Sequence, residues 1–274
     1  MRSPSVLPRS LIVPVLISAS LCGASLANAT ERHFTYTYES GVLAPGRVEL
    51  EPWTTVRVGR EDFYSRIDNR LEFELGLTER LQTSLYLNTT ATARDVIDAD
   101  GVKTRQQLFE LSGISSEWKF KLSDPMAHAL GSALYFEGSY GNSEAELEAK
   151  VILDKRLGNL LFAANLVSEL EWEFAEPGET EREAKFEIDL GAAYFITRTV
   201  TLGAELRPTA VLEEGKLETV ALFGGPTLST AYEGWWAAVS VLPQLYSPKN
   251  ESGKKLDLEH NERLQFRLLL GMHL

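Results

Sequence analysis

Leu264-Gln-Phe-Arg-Leu-Leu-Leu-Gly-Met-His-Leu274 is apolar at every second position: Leu264, Phe266, Leu268, Leu270, Met272 and Leu274. His273, Gly271, Leu269, Arg267 and Gln265 fill the other parity. A period of two is the signature of a β-strand with two unlike faces. An uncovered apolar strand at the end of a chain invites edge-to-edge pairing in water. In a membrane barrel such a strand closes against the first one and turns its apolar face to lipid. Sliding it by one residue would turn Arg263 and Arg267 outward, at roughly 2–4 kcal/mol for an arginine near the bilayer midplane.

The same alternation recurs upstream. Twelve strands are expected, over 47–60, 66–78, 81–93, 106–122, 129–140, 144–154, 160–174, 184–196, 199–211, 217–229, 235–246 and 257–274. The seventh is among the cleanest. Leu160, Phe162, Ala164, Leu166, Leu170, Trp172 and Phe174 share one parity, while Asn165, Glu169, Glu171 and Glu173 take the other. Pro52 suggests a bulge or an edge position in the first strand, Gly224-Gly225-Pro226 blurs the tenth, and the eleventh is apolar on both faces. The longest connections (94–105, 175–183 and 247–256) all join odd strands to even ones, and short turns dominate the other set. Membrane barrels have that asymmetry, with short periplasmic turns and longer external loops. Trp53, Trp118, Tyr140, Trp172, Phe174, Tyr194 and Trp235 lie towards strand ends, where interfacial girdles sit. The expected fold is all-β, a single antiparallel up-and-down transmembrane β-barrel of about 12 strands. A soluble barrel or sandwich would alternate too, with its apolar face inward. The segment lengths, the aromatic placement and the terminal strand favour lipid outside.

Residues 1–29 read as a signal peptide: Arg2 and Arg9, then an apolar run from Leu11 to Leu21, then Ala27-Asn28-Ala29 for cleavage. Residues 30–46 read as a periplasmic lead-in and 47–274 as the barrel. Cys22 is the single cysteine and leaves with the leader, so no disulfide or cysteine metal site is expected. Loss of Arg2 and Arg9 takes the net charge from −12 to −14. Such an acidic chain is a poor match for nucleic acid.

Three stretches carry a resemblance. They are Phe34-Thr-Tyr36-Thr-Tyr38-Glu39, then Leu43-Ala-Pro-Gly-Arg-Val-Glu49-Leu-Glu51-Pro-Trp53, and Leu71-Glu72-Phe-Glu74-Leu-Gly-Leu-Thr-Glu-Arg-Leu-Gln82. Together they resemble an uncharacterised family of exported outer-membrane barrels, similar to a porin-like superfamily that includes transporters of aromatic-degradation pathways. The resemblance implies an outer-membrane barrel and no catalytic residue. Such barrels usually finish in Phe or Trp, which the barrel-assembly machinery prefers, whereas this chain has Leu274.

Residues of the inward parity are the candidate lumen lining. On the early strands these are Arg70, Glu72, Glu74, Glu148 and Lys150. Glu169, Glu171, Lys185, Glu187 and Asp189 come next, then Glu205, Arg263 and Arg267. The acidic excess favours cations or neutral solutes. Twelve strands lie between the eight that side chains fill and the sixteen that enclose a water channel. A narrow pore or transporter for small solutes is therefore expected, the alternative being a barrel plugged by its own salt bridges. Histidines 33, 128, 260 and 273 lie in no nucleophile motif, and no Gly-x-Ser-x-Gly elbow occurs, which leaves a lipid-modifying enzyme as the weakest reading. Asp95-Val-Ile-Asp-Ala-Asp-Gly101 does not keep the spacing of a calcium loop. No cofactor and no metal are expected, and the expected partners are outer-membrane lipid, the assembly machinery and an unnamed small solute.

Overall fold

The computed structural model describes residues 31–97, 101–141, 143–176, 179–250 and 253–274. The expected signal peptide and part of the Asp95–Gly101 stretch lie outside them.

Twelve antiparallel strands form one closed ring: β1 (Val48–Val58), β2 (Tyr64–Gly76), β3 (Leu81–Ile97), β4 (Lys103–Ser123), β5 (Gly131–Tyr140), β6 (Glu144–Leu157), β7 (Leu160–Glu176), β8 (Glu179–Phe195), β9 (Val200–Glu213), β10 (Lys216–Tyr232), β11 (Trp235–Lys249) and β12 (Leu264–His273). Each strand pairs with its neighbours in sequence, and β12 pairs with β1 through Thr54–Leu268 and Val56–Phe266. Closure leaves no edge, so the ladder satisfies the backbone of every strand without help from solvent.

Sidedness follows from parity. On β7, Phe162, Leu166 and Leu170 are exposed, while Leu161, Asn165 and Val167 are buried. Around the ring Leu85, Phe136, Leu147, Phe186, Ile188, Leu202 and Leu228 are exposed in the same way. The charged parity faces the hollow centre. An apolar belt on the outside and carboxylates on the inside is the arrangement of a transmembrane barrel.

The structure departs from the sequence pattern in three places. Two of the expected long loops are strand: β3 runs to Ile97 and β4 starts at Lys103, and β7 runs to Glu176. These hairpins rise past the belt at one end, while the opposite end carries the short turns 77–80, 158–159, 196–199 and 233–234. The last strand starts at Leu264 rather than 257, because Asp257 is drawn into the mouth by the Thr219 hydroxyl and Asn261. Burial disfavours that carboxylate, yet the Thr219 hydroxyl and the His260 N–H hold its pKa below the usual value. Finally, Pro52 makes no bulge. The β1–β2 register is continuous from Val48–Leu75 to Val58–Ser65. The inward parity of Glu49 and Glu51 therefore carries on to Trp53, which is buried in the lumen instead of standing in the girdle.

Leu166 lies well inside the lipid-facing belt. Leu166→Arg is expected to lower stability by roughly 2–4 kcal/mol in urea unfolding from lipid vesicles, whereas Leu166→Ile should change it little.

Candidate functional site

The barrel is not hollow at its short-turn end. The segment 31–46, read as a lead-in, runs up inside the lumen and back, then joins β1 through the pair Gly46 N–H to Gly76 carbonyl (2.8 Å) and Gly76 N–H to Arg47 carbonyl (3.0 Å). Phe34, Thr35, Tyr36, Thr37, Tyr38, Ser40 and Leu43 are all buried.

A chain inside a lumen has no ladder of its own, so its amides must find partners on the wall. Four side chains supply them. One Glu205 oxygen accepts the Tyr36 and Thr37 N–H groups, each at 2.8 Å. Its other oxygen accepts the Thr35 N–H (3.0 Å) and hydroxyl (2.9 Å). Asn165 pairs with Tyr38 as a strand would, accepting its N–H at 2.6 Å and donating to its carbonyl at 3.0 Å. Asp154 accepts the Ser40 N–H and Gln82 the Leu43 N–H.

The aromatic side chains of the plug fit apolar patches of the inner wall. Phe34 packs with Leu161, Ala163, Ala193 and Phe195. A Cβ at Gly191 would overlap its ring, so that position admits no side chain while the plug is seated. Tyr36 packs with Ala221, Phe223 and Leu242, and Tyr38 with Trp53, Tyr86, Tyr135 and Trp236. The Tyr36 ring also lies between two guanidiniums, Arg207 at 3.6 Å and Arg267 at 3.5 Å from its centroid. Each such stack adds about 0.5–2 kcal/mol of attraction, more where water is excluded. Within the plug, His33 meets Glu39 at 3.0 Å. Burial disfavours both charges, but each partner favours the other's, so His33 titrates above and Glu39 below the ordinary value. The contribution of this pair is lost as pH falls through the lowered Glu39 pKa. It is lost equally as pH rises through the raised His33 pKa.

The sequence-derived lining residues separate into groups. Glu205 and Arg267 hold the plug, and Arg267 also donates to the Thr55 hydroxyl at 2.8 Å. Arg207 draws Glu187 (2.6 Å) and Asp189 (3.1 Å) together and reaches across to Gln265 on β12 (2.9 Å). Lys185 meets Glu169 and Lys150 meets Glu148, each at 3.0 Å, and Glu171 is half-buried opposite Glu146. Arg70 spans from β2 to Glu137 on β5 at 3.1 Å. Glu72 and Glu74 are buried near the short-turn end. Arg263 is not with them. It precedes β12 and is exposed at the rim beside Gly59, because the strand starts one residue later.

Sequence reading missed the plug and one of its holders, Asp154; the alternation put Gln82, Asn165, Glu205 and Arg207 on the inward parity but gave them nothing to hold. Two signals pointed there. The Phe34-x-Tyr36-x-Tyr38 alternation is itself strand-like, and the doubly apolar eleventh strand had no reason to be greasy on a water-filled side. Among the described residues every histidine ring meets a carboxylate or a backbone carbonyl: Glu39, the Asp124 carbonyl, Asp257 with Glu218, and Glu49. None of them meets a hydroxyl nucleophile.

A closed 12-strand barrel with an apolar exterior and a charged interior belongs to the outer-membrane type of β-barrel. The chain is a member of a family of unknown function (DUF6662), matched over residues 26–274. No curated protein matches the sequence. Among solved structures it is similar to the NanC porin, at 12% identity and a TM-score of 0.52, over 82% of this chain and 100% of that one. It is also similar to the β domain of the Bordetella autotransporter BrkA, at 12% identity and a TM-score of 0.51, over 84% of this chain and 100% of that one. Both likenesses are of fold.

Thr37 is buried and residues 31–274 carry no cysteine. A Thr37→Cys probe is therefore expected to resist a membrane-impermeant maleimide, and adding Glu205→Ala, which removes the carboxylate that holds residues 35 to 37, should speed labelling at least tenfold. Equal labelling rates would show that Glu205 does not hold the segment.

Proposed function

We propose that the protein is an outer-membrane pore for small solutes, exported by its leader and closed at the periplasmic end by its own N-terminal segment. The observation that carries this reading is how the segment is held. Glu205, Asn165, Asp154 and Gln82 bind it through single polar side chains on a wall that stays complete without it. Water or a solute can replace those hydrogen bonds at little net change, since protein–water bonds are comparable to protein–protein ones. Withdrawal of the segment would leave a lumen rich in carboxylates, which favours cations and neutral solutes over anions. The fold likeness to a porin supports the reading, and β12, which closes the ring, would be the strand the assembly machinery handles.

A second reading, a barrel that does not conduct, draws on the bridges that cross the lumen from Arg70 to Glu137 and from Arg207 to Gln265.

Planar-bilayer recording separates the two. The mature chain is expected to give small or brief openings, and a variant lacking residues 31–44 larger steps that pass potassium in preference to chloride. A deletion variant that folds, judged by heat-dependent gel mobility, yet stays silent would reject the pore.

A further inference from the structure

Four glutamates form a square where β1 meets β2. Glu51 lies directly opposite Glu72, and Glu49 directly opposite Glu74. Like charges in facing positions repel, and burial removes the water that would screen them. All four are buried, and carboxylate oxygens of Glu51, Glu72 and Glu74 lie within 4.8 Å of one another.

The partners within reach do not balance the square. His273 and the Trp236 indole take up Glu49. Trp53 donates to Glu51 at 3.2 Å and Gln82 to one oxygen of Glu74 at 2.8 Å, both without charge. Glu117, next along the wall, adds a further carboxylate and has only the Tyr86 hydroxyl, although Lys119 lies close to it. Arg32 of the plug is near Glu51 and Glu72, but it donates to the Thr35 carbonyl and stacks on Tyr38, leaving its Nε and Nη1 unpaired. Glu72, 1% exposed, makes no well-formed hydrogen bond with either oxygen, its nearest polar groups being Glu74 and the Ser84 hydroxyl, and one oxygen of Glu74 makes none. A separate group tells the same story. The hydroxyl of Ser84, also 1% exposed, is unpartnered, and Ser84 sits between Glu74 on β2 and Glu117 on β4.

From this we propose a buried divalent-cation site in the lumen, formed by Glu51, Glu72 and Glu74 with Ser84 beside them, for a hard ion of the calcium type. Hard cations take all-oxygen donor sets, and oxygens that bind one Ca2+ at about 2.4 Å stand no more than about 4.8 Å apart, a bound these three carboxylates meet. Ca2+ accepts irregular carboxylate sets, whereas Mg2+, with ligands at about 2.0–2.1 Å, demands a strict octahedron and keeps several waters, which a buried cluster on two strands suits less well. A second acidic trio among the described residues, Glu146, Glu148 and Glu169, has Lys150 and Lys185 as counter-charges and needs no ion. The cation would tie β1 to β2 beside the plug, whether or not the barrel conducts.

Tb3+ reports on the site, because the Trp53 indole hydrogen-bonded to Glu51 can sensitise its luminescence. The full mature chain, folded in detergent and stripped with EDTA, is expected to give saturable tryptophan-excited Tb3+ emission that Ca2+ displaces. Glu72→Gln should weaken Ca2+ at least tenfold, and Glu79→Gln on the exposed β2–β3 turn should not. Absence of a saturable signal, or a signal that Glu72→Gln leaves intact, overturns the site. Stability gives a second reading that does not need the variant to fold. Ca2+ should raise the Tm of the wild-type barrel above its value in EDTA. An unchanged Tm would mean that shared protons alone neutralise the square, and would overturn the proposal. Neither readout depends on conductance, so its failure and that of the pore are separable.

Discussion

Hydrocarbon offers a backbone amide nothing to bond to, and that constraint orders the whole molecule. It forces the ladder to be continuous around the ring, which in turn makes the β1–β12 seam obligatory. Once the ring is closed, the period of two sends half of all strand side chains outward and half inward. The outward half needs only to be apolar. The inward half must reconcile many charges in a space too narrow to hydrate them freely, and most of the specific structure is the answer to that problem.

Two solutions coexist inside. Opposite charges pair along neighbouring strands, as at Lys185–Glu169, or across the lumen, as at Arg70–Glu137. The N-terminal segment brings amides for Glu205, Asn165, Asp154 and Gln82 to satisfy, and rings for Arg207 and Arg267 to stack on. Three corners of the glutamate square on β1 and β2, Glu51, Glu72 and Glu74, use neither, since the plug passes them with a guanidinium turned towards Tyr38. Buried ionic groups contribute little net stability compared with apolar packing. A lumen built this way is better suited to handling polar matter than to holding the ring together.

Much of the fold was legible because lipid imposes a strict alternation. Strand 7 could be read residue by residue, and its Asn165 and Glu169 face inward as the pattern required. Ends were harder. Beyond the belt nothing enforces parity, so the hairpins β3–β4 and β7–β8 run on through stretches that look like loops. Trp53 was misplaced because proline normally interrupts a ladder, and here the register passes Pro52 undisturbed. The plug was hidden for a different reason. Its contacts join residues as far apart in sequence as Thr35 and Glu205, and no local pattern reports such a pairing. Arg207 stood in the right parity, but only the folded ring shows that it gathers Glu187, Asp189 and Tyr36 at one point.

The way residues 31–46 join β1 carries a consequence for competition. A cork on a string never diffuses away: Gly46 is fixed to Gly76 at the rim, so the displaced segment stays within a few nanometres of its seat. Short flexible tethers hold a ligand at effective concentrations in the millimolar range. In the proposed pore, a free solute of equal affinity for the same wall groups would have to match that figure, so scarce molecules would meet a shut door while abundant ones could hold it ajar.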